Sequence, residues 1–398
     1  MPTDRMTRIV ILGGGFAGLY AARELERRLG RDESVEITLI NRDNFFLFTP
    51  MLHEVASAEL DLTHIVNPIR KLLRRTSFFH GEVLGIDVAK QLVAVEHGDR
   101  PGHPHDLPYD HLVLALGSVT NTYGLSGVAE HALTMATLGD ALRLRNRMID
   151  NLEEADFECC KSQRERLLSF VVAGGGFAGV ETMGAINDFV RNALRYYRNL
   201  EPGDVRMVLV HSGDPVLPEL GPSLGRYAQE KLAERGVELR LGRKLKSASG
   251  EGVLLDDGSF VPAGTVIWTA GRSAHPLMAA IPGEREGGKL CTDEFLRVKG
   301  TENLWALGDG ARIPSRPGGP PCPPTAQHAS RQGKVLAQNL VAAIRGQRMK
   351  PFRFRTLGLL ASLGHRTGVA QIFGLRFSGF FAWWLWRTIY LSKLPRFE

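Results

Sequence analysis

The chain has 398 residues, 43% of them hydrophobic and 23% charged, an ordinary globular composition with length for two or three domains and a sizeable core. Four cysteines without regular spacing, Cys159 and Cys160 adjacent, exclude a disulfide-stapled scaffold and point to a reducing compartment. The formal charge of +6 is concentrated at one end: residues 341–398 hold ten Lys and Arg, Arg396 among them, against the single acid Glu398, so this tail carries +9 and the remainder −3. With no nucleic-acid motif beside it, such a tail suits an anionic membrane surface better than a nucleic acid.

The N-terminus has no basic stretch leading into an apolar one, and no window holds 18 uncharged apolar residues. Neither a secretory signal nor a transmembrane helix is expected. Ile9-Val10-Ile11-Leu12 reads as a buried strand, followed by GGGFAG at 13–18 and a helix with Leu19, Ala22, Leu25 and Leu29 at helical spacing, stopped by Gly30. The same hexapeptide recurs at 174–179, after Phe170-Val171-Val172-Ala173 and before another helix. Each copy fits G-x-G-x-x-G at a strand-to-helix turn. The first glycine allows the bend, the second lets a pyrophosphate approach, and the third lets helix and strand pack closely. One copy is weak evidence for a nucleotide site; two, 161 residues apart, point to two dinucleotides.

The strand 35–40 ends at Asn41 and Arg42, where an acid would normally bind the ribose, and 207–210 ends at His211 where a second acid would be expected. The apolar run 45–52 is either core or a wall against a flat aromatic ring. Residues 81–95 alternate as a β-meander would, and 110–118 read as a buried strand ending in a glycine turn. Residues 121–165 form a connector with a charged helix over 138–154. Glu181, two residues past Gly179, falls in the first turn of its helix, where the macrodipole favours a carboxylate, so its role is structural or functional. Residues 258–270 read as a hairpin and strand, 304–309 as a strand ending in Gly-Asp, 313–324 as a loop and 326–340 as a helix. Residues 377–387 hold Trp383, Trp384 and Trp386 with Arg387, a mixture suited to a headgroup interface or to a protein–protein patch. No metal site is expected.

With these landmarks the chain resembles the type II NADH dehydrogenases, single-polypeptide NADH:quinone oxidoreductases of the flavoprotein group with two dinucleotide-binding domains. The resemblance runs the whole length. It rests on 13–18, 48–56, 114–117, 174–181, 268–271, 306–309, 324–329, 358–364 and 379–383, of which the Gln327 stretch and the Trp-rich tail are the most family-specific. It implies an α/β fold of two Rossmann-like domains, the second inserted in the first: FAD-binding at 1–120 and 286–345, the connector at 121–165, NAD(P)H-binding at 166–285, and a membrane-associating or dimerising segment at 346–398. Further amphipathic helix beyond Glu398 is expected of the family.

By the same resemblance, non-covalent FAD would be held by Gly13, Gly15, Phe16, Ala17, Gly18, Asn41, Arg42, Thr49, Pro50, Val83, Ala115, Gly117, Gly308, Asp309, Gln327 and His328. NADH or NADPH would be held by Gly174, Gly176, Phe177, Gly179, Glu181, His211 and Gly271. Glu181 and Gln327 would serve catalysis, Glu181 at the nicotinamide end and Gln327 beside the flavin, with Gln327 and Arg331 at the quinone. Hydride would pass to flavin N5 and electrons to a membrane quinone without proton pumping, at the cytoplasmic face of the membrane. Three positions depart from the family pattern: Arg331, with Gln332 one residue late; Leu357, where lysine is usual; and His211, which removes the charge that repels a 2′-phosphate. A sulfide:quinone oxidoreductase using Cys159 or Cys160 with Cys322, and a flavin-binding sensor without turnover, are the alternatives.

Overall fold

The computed structural model describes residues 6–96 and 102–394; Arg396 and Glu398 of the basic tail lie outside the described residues. The chain forms two compact units. The first takes the described residues of Met1–Leu47, Val66–Val119 and Ser273–Thr356, the second those of Phe48–Ile65, Thr120–Arg272 and Leu357–Glu398. The helices used below are, in chain order, α1 (Phe16–Leu29), α2 (Leu52–Ala56), α3 (Leu138–Phe157), α4 (Phe177–Ala193), α5 (Ala326–Ile344) and α6 (Gly379–Ser392).

The first unit is built on a parallel sheet with strand order Leu304–Ala306, His111–Leu114, Thr7–Leu12, Val35–Asn41, Ser77–His80. Its central strand is buried along Ile9-Val10-Ile11-Leu12, as a strand covered on both faces must be. The meander read at 81–95 is there as the antiparallel strands Glu82–Asp87, Leu92–Glu96 and Pro104–Pro108. Leu19, Ala22, Leu25 and Leu29 form the buried stripe of α1, and the Gly30 N–H closes the helix on the Glu26 carbonyl.

The second unit repeats the plan, with parallel order Ala132–Thr134, Thr265–Trp268, Ser169–Ala173, Arg206–His211, Val237–Leu241. The grouping of segments differs from the boundaries read in the sequence, because α2, the 121–165 stretch and the tail all pack with this unit. α2 lies on α3 and α4, and the C-terminal sheet Gly358–Ser362, Gly368–Ile372, Leu375–Ser378 lies on α4 and α6. A Cβ on Gly184 of α4 would lie 2.5 Å from the Leu363 carbonyl carbon, so helix and tail meet backbone to backbone. Of the apolar run at 45–52, Phe46, Phe48, Met51 and Leu52 are buried core, while Phe45, Leu47 and Pro50 are half-buried. Among the described residues no helix is long and apolar enough to cross a membrane.

α1 and α5 touch at Gly333, where a Cβ would stand 2.5 Å from the Ala17 carbonyl oxygen and 2.8 Å from the Ala21 nitrogen. Backbone cannot yield as a side-chain tip does, so Gly333→Ala should destabilise the first unit by about 1–3 kcal/mol, the usual range for overpacking. Thermal melting of the two proteins checks this; an unchanged melting temperature would contradict the packing described.

Candidate active site

Both hexapeptides form the same turn. Gly13 and Gly174 take φ of +102° and +120°, a region open to glycine at little cost. A Cβ on Gly18 would lie 1.9 Å from the Gly13 oxygen, and one on Gly179 1.7 Å from the Gly174 oxygen. Gly15 and Gly176, by contrast, have no atom within 4 Å of an added Cβ. They begin α1 and α4 as N-caps without a side-chain cap, and neither helix has an acid in its first turn. An uncapped helix start facing open space presents backbone N–H groups and positive dipole to an anion. The two turns therefore fit a dinucleotide pyrophosphate. Phe16 and Phe177 are the first residues of these helices, followed in α1 by Ala17.

The two residues standing where acids were expected have a job that the sequence did not reveal. Asn41 Oδ1 accepts from the Gly14 N–H at 2.7 Å while its Nδ2 donates to the Asp43 carbonyl at 2.7 Å. His211 Nδ1 accepts from the Gly175 N–H at 3.1 Å. That bond puts the ring proton on Nε2, and burial lowers the histidine's proton affinity. Both side chains press on the middle glycine: a Cβ on Gly14 would be 2.9 Å from Asn41 Cγ, and one on Gly175 2.5 Å from His211 Cγ. This is why each turn reads GGG rather than G-x-G.

Around the first turn, the Ala115 carbonyl lies against Gly13, and Gly117 and Gly308 have φ of +69° and +72°. Asp309 Oδ2 accepts from Ser118 Oγ at 2.9 Å, and the Gly308 N–H donates to Gln332 Oε1 at 3.0 Å. Gln332, passed over in the sequence as displaced by one position, is the buried strut between α5 and the Gly308-Asp309 corner. His328 Nδ1 pairs with Thr325 Oγ1 at 2.8 Å and its ring meets Phe354 edge-on at 4.9 Å. Burial, then Arg331, pulls its pKa down to about 4, so it is neutral. Arg331 lies over the Phe354 ring at 4.2 Å and donates to the Gln327 carbonyl at 2.8 Å.

Of the other residues singled out in this unit, Arg42 is exposed, 3.8 Å from Asp43, and Val83 is half-buried on its strand. In the second unit Thr49 and Pro50 open a short 3-10 turn, Thr49 exposed, and a Cβ on Gly271 would meet the Asn121 oxygen at 2.0 Å. All four cysteines are free, Cys159 and Cys160 on the surface.

Glu181 departs most from its sequence reading. It is the fifth residue of α4, past the turn where the dipole acts, and it is buried. Its Oε1 accepts from Trp386 Nε1 at 3.1 Å and from the Ser362 N–H at 3.3 Å; its Oε2 is 3.9 Å from His53 Nδ1. Desolvation outweighs both donors and pushes the pKa up to about 8, so the group is a neutral acid rather than a dipole-stabilised carboxylate. Burial likewise raises Glu54 to about 7 against the pull of Arg387, and holds His53 down to about 3. The tail's aromatic run divides accordingly. Ala382 and Trp386, one turn apart, face inward, while Phe380, Phe381, Trp384 and Leu391 are exposed.

These shifts fix a pH dependence. Raised acids lend stability that is complete below their ordinary value of 4.5 and drains as pH climbs through about 7 and about 8. Depressed His53 lends stability present above 6.5 and lost as pH falls toward about 3. Glu181→Gln, which keeps an acceptor oxygen but cannot ionise, should therefore gain melting temperature over the native protein as pH rises from about 5 to about 9. A constant difference across that range would show that Glu181 ionises freely.

A family profile described as pyridine nucleotide-disulphide oxidoreductase matches residues 7–333. Type II NADH:quinone oxidoreductase Ndh of Mycobacterium tuberculosis is 31% identical over 99% of this chain and 86% of its own length. A probable NADH dehydrogenase of Dictyostelium discoideum is 31% identical over 97% and 85%. In fold, the chain superposes on NDH2 from Plasmodium falciparum in complex with NADH with a TM-score of 0.91 at 20% identity, covering 98% of this chain and 95% of that one. The sulfide:quinone oxidoreductase of Aquifex aeolicus gives 0.75 at 18% identity, covering 97% and 90%. The profile and the full-length relatives agree: the chain belongs to the pyridine nucleotide-disulphide oxidoreductase family and, within it, to the type II NADH:quinone oxidoreductases.

Proposed function

We propose that this protein oxidises NADH and reduces a membrane quinone, with FAD held non-covalently at the first glycine turn and the nicotinamide nucleotide binding at the second. The observation that carries this reading is the pair of open, uncapped turns, one in each unit, with Gly15 and Gly176 leaving room for phosphates. The first turn shares its unit with the braced Gly308-Asp309 corner and the start of α5, suited to a cofactor that stays. When bound, the flavin supplies the two-electron connection between nicotinamide and quinone.

The chain's own residues do the rest. The glycine turns bind the pyrophosphates; Asp309, fixed by Ser118, offers its carboxylate to the flavin's sugar-phosphate side. Gln327 and Arg331 border the quinone, Arg331 oriented by Phe354 and the Gln327 carbonyl. Glu181, a neutral acid near pH 7, holds a proton at the nicotinamide end of the second site. His211 carries no negative charge and spends Nδ1 on Gly175, so nothing at that position repels a 2′-phosphate, and NADPH is accepted as a second donor. The exposed rings of α6, with Phe373 and Leu375 also exposed on the adjoining hairpin, form the face that settles on an anionic membrane at the cytoplasmic side. Cover of that face by a second copy of the chain is the competing use.

Anaerobic titration of FAD-loaded protein tests the core of the reading: NADH and NADPH should each bleach the flavin, and added quinone should restore it. Gly15→Ala should lower flavin retention, while Gly176→Ala should keep the flavin and raise the KM for NADH by about tenfold or more, the equivalent of roughly 1.4 kcal/mol. Equal flavin loss in both variants would remove the assignment of one nucleotide to each turn.

Attachment is checked by co-sedimentation with anionic liposomes. Phe380→Ser with Trp384→Ser should release the protein without altering its melting temperature. Unchanged sedimentation, or a native dimer that these changes split, would transfer the face to self-association.

A further inference from the structure

Three parallel strands of the second unit, Ser169–Ala173, Arg206–His211 and Val237–Leu241, end at one edge of their sheet, with Arg206–His211 in the middle. The first runs straight into the turn at 174–179, and the carboxyl edge of such a sheet is where a nucleotide lies. Past their ends the other two strands are tied backbone to backbone. The Gly242 N–H donates to the Gly213 carbonyl at 3.3 Å, and the Arg243 N–H donates to the His211 carbonyl at 3.1 Å. Gly242, with φ of +64°, makes the bend that a side chain would resist. Residue 243 is thereby fixed beside residue 211, at the strand end where the family's acid would meet the adenine ribose.

The Arg243 side chain rests on the surface, 46% exposed, with Nε 3.0 Å from Asp257 Oδ2. Asp257 is held in turn by Ser259, whose N–H and Oγ donate to Oδ1 at 2.9 and 2.6 Å. An exposed ion pair of this kind holds its partners weakly. A phosphate offers the guanidinium fork more negative charge and two parallel N–H···O bonds.

We propose that Arg243 is the coenzyme-specificity residue of the second nucleotide site: it leaves Asp257 to take the 2′-phosphate of NADPH, and stays on Asp257 when NADH is bound. This rests on the reading of the second glycine turn as the nicotinamide nucleotide site, and it supplies the attraction that His211 cannot. Asp214 and Glu219 both act on His211. Losing an acid at 211 removes one repulsion and leaves those two, so a phosphate arriving at the strand end needs a cation to meet it. Lys244 is also exposed, but its carbonyl is bonded to the Asp256 N–H at 2.9 Å, whereas Arg243 is the neighbour tied to His211.

The test uses FAD-loaded full-length protein and two probes that differ only in the group at issue, adenosine 2′,5′-bisphosphate and adenosine 5′-monophosphate, with binding measured by calorimetry. The native protein should prefer the bisphosphate. Arg243→Ala should cut that preference by about tenfold or more, the loss expected for a hydrogen bond between charged groups. Arg243→Lys, which keeps the charge but not the fork, should fall between. Asp257→Asn frees the arginine and should raise the preference by about two- to fivefold, the scale of an exposed ion pair. The ratio of KM values for NADPH and NADH should follow the same order. Each preference is a ratio within one variant, so partial loss of folded protein lowers both probes together and leaves it readable. A preference that survives Arg243→Ala, or that Lys244→Ala abolishes in its place, overturns the assignment. If NADH bleaches the flavin and the native protein binds both probes equally, the assignment alone fails. If neither probe binds and NADH leaves the flavin oxidised, the placement of the nucleotide at the second turn fails, and the assignment with it.

Discussion

Each unit depends on one close approach between a carbonyl oxygen and an α-carbon. The oxygens of Gly13 and Gly174 occupy the space that a side chain on Gly18 or Gly179 would need. Because that space is free, α1 and α4 start directly against their parent strands, and their N–H groups point where a phosphate can reach them. A methyl group at either position would move the helix, and with it everything the helix carries. In the first unit that is the seat for α5, which crosses α1 at Gly333. In the second it is the position of Glu181 and the bed on which the C-terminal sheet lies at Gly184.

The middle glycines show how one substitution in sequence can be answered by another. Asn41 and Gly14, like His211 and Gly175, are matched pairs: a hydrogen-bond acceptor at the end of the second strand leans over the turn and takes its N–H. A carboxylate at the strand end would bring a fixed charge; these two acceptors bring none. The binding surface is set by which side chain the turn can hold, as well as by what the nucleotide prefers.

Much of the scaffold was legible. Four-residue apolar runs before glycine turns gave the central strands, and the 3.6-residue spacing of leucines gave α1, because both signals are local. What escaped was whatever depends on partners far along the chain. Glu181 read as a dipole-favoured carboxylate in the first turn of its helix, since nothing within α4 shows that Trp386, Ser362 and His53 will close over it. The aromatic run of the tail could not be divided, because which face of a helix is buried is decided by what it meets. Gln332 looked like a slipped motif residue, although its amide braces a backbone N–H on a distant strand corner. Loss of an acid at Asn41 and His211 was visible, but not the bond gained in its place.

α6 has a further consequence. Its outer face carries exposed rings, but its inner face is a wall of the second unit, with Trp386 fully buried against Glu181. Cutting the chain before this helix would not simply remove those rings. Water would reach Glu181, the desolvation that keeps it protonated would vanish, and the group would return toward the behaviour of an ordinary surface carboxylate. A shortened chain would hold a different acid, and loss of activity on truncation would say nothing about membranes.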